Sequence, residues 1–259
     1  MRGGRLTRTA GGGRVAAAPF SRRARPMSFR RLAAVCVLAV FAGPAASGES
    51  GEATTDEGFV SLFDGETLAG WRNPFEHGHA EVVDGEILLT ADKKFFLVTD
   101  EQYRDFVLVA EIHLPEGKAN SGVMFRCHVE PNRVYGYQAE CDGSDRRWSA
   151  GLYDEGRRGW VWPSKEGRTK DEAMLAYEAE SQAHFRKPEV RGALDRDGWN
   201  RYVITCKGDH ITIELNGVTV TDVRDATDAE GFIGIQHHGE EGQTYRFRNI
   251  SIKPPGGDA

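Results

Sequence analysis

From residue 59 onward the chain runs in short alternating or apolar stretches separated by turn residues. They are FVSLF (59–63), AEVVD (80–84), EILLT (86–90), FFLVT (95–99), FVLVAEIHL (106–114) and SGVMFRCH (121–128), followed by VYGYQAECD (134–142), NRYVITCKG (200–208), HITIELNG (210–217), VTVTDV (218–223), GFIGIQHH (231–238) and YRFRNISIK (245–253). Many short strands at this spacing predict an all-β fold, a sandwich or a barrel. Asn216-Gly217 supplies the two positive-φ positions of a type I′ turn and predicts a hairpin between 210–215 and 218–223; Asp84-Gly85 predicts a second. Residues 170–197, rich in Ala, Glu and Leu and without a β-branched run, predict one or two short helices split at Pro188, an excursion from a single β-domain.

Side chains alternate faces along a strand, so polar residues at every second position define a surface. In VMFRCHVE, Met124, Arg126 and His128 oppose Val123, Phe125 and Cys127. In VYGYQAECD, Gln138, Glu140 and Asp142 oppose Tyr137, Ala139 and Cys141, and in GFIGIQHH, Gln236 and His238 oppose Ile233 and Ile235. A solvated sheet face is usually Thr, Lys, Glu and Ser; Arg, His, Gln and a carboxylate with a Met among them predict the lining of a cleft. The expectation is that Arg126, His128, Gln138 and Glu140 share one face while Phe125, Cys127, Ala139 and Cys141 face the other sheet.

The segment 142–167, read as a long loop, interleaves Trp148, Tyr153, Trp160 and Trp162 with Arg146, Arg147, Arg157 and Arg158. Aromatic faces stack on the apolar faces of sugar rings, and arginines hydrogen-bond hydroxyls and carboxylates. A purely structural reading, in which these aromatics pin the loop to the sandwich, stands beside it.

Charge removes some partners. The first 47 residues hold nine Arg and no acid, with the apolar run LAAVCVLAVFAG ahead of PAAS, the anatomy of a secretory signal with Ala45 and Ser47 at the −3 and −1 positions. Translation from Met1 or from Met27 is compatible with it. Its removal leaves 24 of the 33 basic residues against 39 acidic ones, a net charge of −15, which disfavours nucleic acid and anionic lipid as partners. The expected layout is a signal over 1–47, a linker over 48–57, the β-domain over 58–254 and a tail over 255–259, in a protein exported to the periplasm or beyond. No later segment has the ~18 apolar residues of a membrane span. Cys127, Cys141 and Cys206, with no C-x-x-C spacing, are expected as buried small hydrophobes rather than as a disulfide framework. His77-Gly78-His79 and His237-His238 are candidate metal ligands without a carboxylate at a diagnostic spacing, so no cofactor is assigned and a divalent metal stays possible.

GFVSLFDGETLAGW, NSGVMFR, GYQAE, WNRYVITCKGDHITIELNGVTVTD and GFIGIQHHGEEGQTYRFRNISIK resemble, in order, the 3-keto-disaccharide hydrolase family over residues 58–254. The resemblance implies an all-β, two-sheet antiparallel jelly-roll sandwich of the concanavalin A type, with a sugar site on its concave face. It also implies action on glycosides already oxidised at C3 by a partner sugar 3-oxidoreductase. A ketone at C3 acidifies the C2 proton, so such a site needs a base, an enolate stabiliser and a proton donor for the leaving oxygen. Glu140 or His128 is the candidate base, Arg126 or a divalent ion the stabiliser, and His238 or His237 the acid. Gln138, Asp142, Trp148, Tyr153, Arg157, Arg158, Trp160, Gln236 and His237 are the candidate substrate-binding residues. The competing reading is a non-catalytic carbohydrate-binding β-sandwich, since a sandwich alone does not decide function.

Overall fold

The computed structural model describes residues 58–165, 167 and 169–256. The signal, cleavage position and linker expected over residues 1–57 lie outside the described residues. The strands are β1 (Val60–Ser61), β2 (Trp71–Arg72), β3 (His79–Val83), β4 (Glu86–Thr90), β5 (Phe95–Tyr103), β6 (Phe106–His113), β7 (Asn120–Glu130) and β8 (Arg133–Asp142). After β9 (Leu152–Glu155) and β10 (Gly159–Trp162) come the helices α1 (Glu172–His184) and α2 (Pro188–Arg191). The chain closes with β11 (Trp199–Lys207), β12 (His210–Leu215), β13 (Val218–Arg224), β14 (Gly231–His237) and β15 (Thr244–Lys253).

Two antiparallel sheets form. One runs β13-β12-β11-β6-β15-β4-β3 with β1 added on β15, and the other runs β10-β9-β8-β7-β14-β5-β2. Alternation explains the packing between them: Leu89, Leu108, Ile112, Ile204, Ile213 and Phe247 from the first sheet meet Leu97, Val123, Phe125, Tyr137, Ala139 and Ile235 from the second in one buried core. Both predicted hairpins form, with φ of 50° and 83° at Asn216 and Gly217 and of 52° and 80° at Asp84 and Gly85. Pro188 divides the helical excursion by opening α2, and Asp171 caps α1 by accepting the Met174 amide. Cys127, Cys141 and Cys206 are buried and unbridged. Among the described residues no helix is long and apolar enough to cross a membrane.

Two sequence expectations need correction. The segment 142–167 is not one long loop: β9 and β10 form a short hairpin that extends the second sheet. The single-face register of β7 also fails. Phe125 pairs with Tyr137 but His128 pairs with Tyr135, so β7 spends three residues where β8 spends two. Arg126 is the extra residue, at φ 45°, and the bulge reverses the parity beyond it. Cys127 therefore joins Met124, Phe96, Val98 and Val134 in a small apolar cluster outside the main core, instead of facing the other sheet.

Candidate functional site

The face of the second sheet turned away from the core carries a polar hollow of about 240 Å³. Its lining comes from five strands and their loops: Asn120, Gln138, Glu140, Tyr153, Glu155, Trp160 and Gln236, with Lys94, Arg146, Lys165 and His238. Gly122, which pairs with Glu140 across the ladder, leaves the space that the Gln138 side chain fills; a Cβ there would lie 2.7 Å from Gln138 Cγ. Gln138 Nε2 in turn donates to Gln236 Oε1 at 2.8 Å, which fixes both amides in the floor.

Glu140 is the chemical centre of this hollow. It is 4% exposed, Asn120 Nδ2 donates to its Oε1, and an Arg146 Nη2 lies 3.6 Å from the same oxygen. Arg146 is itself held by Asp142, whose Oδ2 accepts from its Nε at 2.7 Å, and it lies over the rings of Trp148 and Trp160. Burial pushes the Glu140 carboxyl up to about 7; the Asn120 hydrogen bond and Arg146 pull it down without cancelling the desolvation, and the charges of Asp142 and Glu155 add to the rise. A carboxyl in that range exchanges protons near neutral pH.

His238 borders the same hollow. Its Nδ1 lies 2.9 Å from Glu240 Oε1, and because a carboxylate only accepts, that nitrogen carries the hydrogen and Nε2 is left for a ligand. Tyr245, buried, donates to Glu240 Oε2 at 2.8 Å and accepts from the Asn120 amide at 3.0 Å, so the dyad is anchored to the strand that also supplies a partner of Glu140. His237, the alternative acid, is placed differently. It is buried, its Nδ1 accepts from the Gly239 amide and its Nε2 donates to Gln243 O, and burial lowers its pKa, which makes it a neutral structural residue.

The bulge removes Arg126 and His128 from this constellation. Arg126 is fully buried; its guanidinium donates to Arg104 O, Gly208 O and Asp228 O and to Asp105 Oδ1, at 2.7–3.1 Å, which ties β7 to three loops at the end of the sandwich. His128 stacks on Tyr135 and bonds to Asp228 Oδ1 at 2.8 Å. Arg157 and Arg158, expected as substrate contacts, join that second cluster: Arg157 pairs with Asp154 and Asp228, Arg158 with Asp154 and Asp225. Of the aromatics, Tyr153 and Trp160 reach the hollow, whereas Trp148 stands behind Trp160 against Phe185. Asp142 contributes by holding Arg146.

Sequence reasoning missed Asn120, Lys94, Glu155 and Lys165, and placed Arg146 among the loop arginines without counting it with the substrate-binding residues. Asn120 was within reach, since it lies two residues before Gly122 on the same parity and pairs with Asp142. Glu155 belongs to the unrecognised β9, and Lys94 Nζ donates to its carboxylate. Among the described residues no three His, Cys, Asp or Glu side chains converge as they would around a metal ion.

The site is thus a polar, aromatic-edged hollow on one sheet face of a two-sheet antiparallel sandwich. The chain belongs to the 3-keto-alpha-glucoside-1,2-lyase-like domain family, whose model matches residues 58–253. That membership gives it a carbohydrate-related function. No curated protein matches it. Among solved structures it is similar to the carbohydrate-binding module CBM66 from Bacillus subtilis, with 16% identity over 71% of this chain and 95% of that one and a TM-score of 0.50. A "putative glycosyl hydrolase" from Parabacteroides distasonis ATCC 8503 is similar at 18% identity over 77% of this chain and 95% of that one, also with a TM-score of 0.50. At these identities the likeness is one of fold.

Proposed function

We propose that this chain is an exported enzyme that cleaves glycosides bearing a ketone at C3, with Glu140 as the base. The observation that carries the reading is a carboxyl raised to about 7 on the floor of a polar hollow that also holds Arg146 and His238. A base works best with a pKa near the operating pH, and an ordinary solvated glutamate lies well below it.

The residues fit the steps. Ionised Glu140 takes the C2 proton, and the C–H electron pair moves into an enolate whose charge rests on the C3 oxygen, where the Arg146 guanidinium offers stabilisation. As the enolate collapses, the C3 carbonyl re-forms, a C1–C2 double bond appears and the C1–O bond to the aglycone breaks. His238, entering this step as the imidazolium with its Nδ1–H held by Glu240, gives its Nε2 proton to the departing oxygen. Water then adds its hydroxyl to C1 and its remaining proton to His238 Nε2 while Glu140 returns a proton to C2, which restores both groups and completes a net hydrolysis. Gln138 and Gln236 in the floor and Tyr153 and Trp160 at the sides hold the ring. The substrate must come from a sugar 3-oxidoreductase, since nothing in these steps oxidises C3.

The test compares a 3-keto-glucoside with its unoxidised parent. The reading predicts aglycone release from the keto-glucoside alone. Retention of either sugar without release of the aglycone would instead make the hollow a binding site.

A further inference from the structure

Helix α1 is inside out. Its buried residues are Glu178, Ser181 and Gln182, while Met174 and Leu175 stand 47% and 43% exposed. Ser181 and Gln182 have a structural reason: Ser181 Oγ accepts the Ser164 amide at 2.9 Å and Gln182 Nε2 donates to Ser164 O at 2.7 Å, which clamps the helix onto the end of β10. Glu178 has only half of one. Its Oε2 accepts from the Gly167 amide at 3.2 Å, but its Oε1 has no hydrogen-bond partner among the described residues, although the side chain is 3% exposed. A buried carboxylate oxygen without a donor costs free energy, and local violations of this kind cluster at functional positions.

Glu178 lines a cleft of about 670 Å³ where the edge strands of the two sheets, β10 and β13, run beneath α1. Val161, Trp162, Met174 and Tyr177 provide apolar wall, and Trp160 lines both this cleft and the Glu140 hollow. The volume is in the range of small-molecule sites. Glu178, Glu180, Asp222 and Asp225 outnumber Arg158 and Arg224 on the wall, and both arginines are engaged by aspartates, so the cleft disfavours an anionic ligand; among the described residues no three acids, cysteines or histidines converge as around a metal ion. A ligand with both apolar C–H faces and hydroxyl donors satisfies the walls and the carboxylate together.

We infer that the cleft under α1 is a second saccharide site, in which Glu178 Oε1 accepts a sugar hydroxyl and a neutral sugar unit beyond the reacting ring packs against Met174, Tyr177 and the Trp162 edge. The choice of a saccharide rests on the carbohydrate reading of the Glu140 hollow; the site itself rests on Glu178 and the cleft.

The test measures binding of an unoxidised neutral trisaccharide of glucose to the full chain by calorimetry, in wild type, Glu178→Ala and Met174→Lys. Met174 is exposed and lies four residues before Glu178, so a lysine there folds normally and brings an ammonium to the empty oxygen. Both variants are expected to weaken binding by roughly tenfold. C2 exchange on a simple 3-keto-glucoside, which reports the Glu140 hollow, is expected to be unchanged in Met174→Lys. The inference is overturned if wild type fails to bind the trisaccharide at about 20 mM, if Met174→Lys binds it as wild type does, or if tetramethylammonium binds the cleft and the trisaccharide does not. Since exchange and trisaccharide binding are separate readouts, failure of the cleft leaves the assignment of Glu140 standing, and loss of exchange does the reverse.

Discussion

The second sheet carries two clusters of acids and arginines, and they are opposites. Around Asp154, Asp225 and Asp228, two arginines, a histidine and a tyrosine hydroxyl supply donors to all six carboxylate oxygens. Burial pushes the Asp225 carboxyl up, but hydrogen bonds from Arg158, Thr227 and Tyr137 outweigh it and bring it down to about 2. Asp228 is also held below its ordinary value, burial again being overcome by the bonds from Arg157 and His128. Around Glu140 the donors are one amide and a guanidinium 3.6 Å away that is already committed to Asp142, and the carboxyl rises to about 7. Both regions are rich in charge, but only the one with too few donors is poised to exchange protons. The lesson is that a saturated charge network reports architecture, and an under-supplied buried carboxylate reports chemistry.

The largest effect on the architectural side is expected from Arg126→Leu. Removing a buried guanidinium leaves three carbonyls and Asp105 without their donor, which should lower the unfolding free energy by about 3 kcal/mol, read as a lower urea midpoint. Folded variant should retain C2 exchange, because Arg126 does not line the hollow. An Arg126→Leu protein of wild-type stability would remove the distinction between the clusters.

Next in size is the pH dependence of stability at Glu140. Its folded pKa is raised to about 7, so the folded state binds the proton more tightly than the unfolded chain does. Its contribution is fully present below the unfolded value and is lost as pH rises through 7. Glu140→Gln should abolish that decline, stabilising the protein at pH 8 relative to pH 4 by up to about 2–3 kcal/mol against wild type. Parallel melting curves across pH check it.

Asp225 has the opposite sign. Its lowered pKa stabilises the fold above the unfolded value, and this is lost as pH falls from 4 toward 2. Asp225→Asn should therefore cost about 1–2 kcal/mol at pH 7 and show a smaller deficit against wild type at pH 2, measured by denaturant unfolding at both. The smallest effect is expected from His128→Ala: a modest loss of stability, and C2 exchange within about threefold of wild type.

Most of the fold is legible in the residues because period-two runs and Asn-Gly or Asp-Gly turns act locally. The strand β4 has the bounds that EILLT suggests, and Gln138, Glu140, Gln236 and His238 share the face their parity gives them. What fails is non-local. The bulge at Arg126 is set by its partner strand, where Gly136, at φ 129°, lets Cys127 Cα approach within 3.0 Å of where a Cβ would stand. A glycine inside VYGYQ was the available sign of a bulge. Arg157 and Arg158 look like ligand contacts only until Asp225 and Asp228, some seventy residues later in the chain, are folded against them. Arg146 could not be placed without knowing that the segment after β8 turns back over the sheet.

The central claim is that the proton-transferring carboxylate is Glu140, and it is tested most directly by the wash-in of deuterium at C2 of a 3-keto-glucoside in deuterated water, followed by NMR for wild type, Glu140→Gln and His128→Ala. The account predicts that Glu140→Gln, which keeps the shape and removes the basicity, loses exchange by roughly 10²-fold or more while still binding the sugar, and that His128→Ala exchanges much as wild type does. Exchange that survives in Glu140→Gln and disappears in His128→Ala would contradict it.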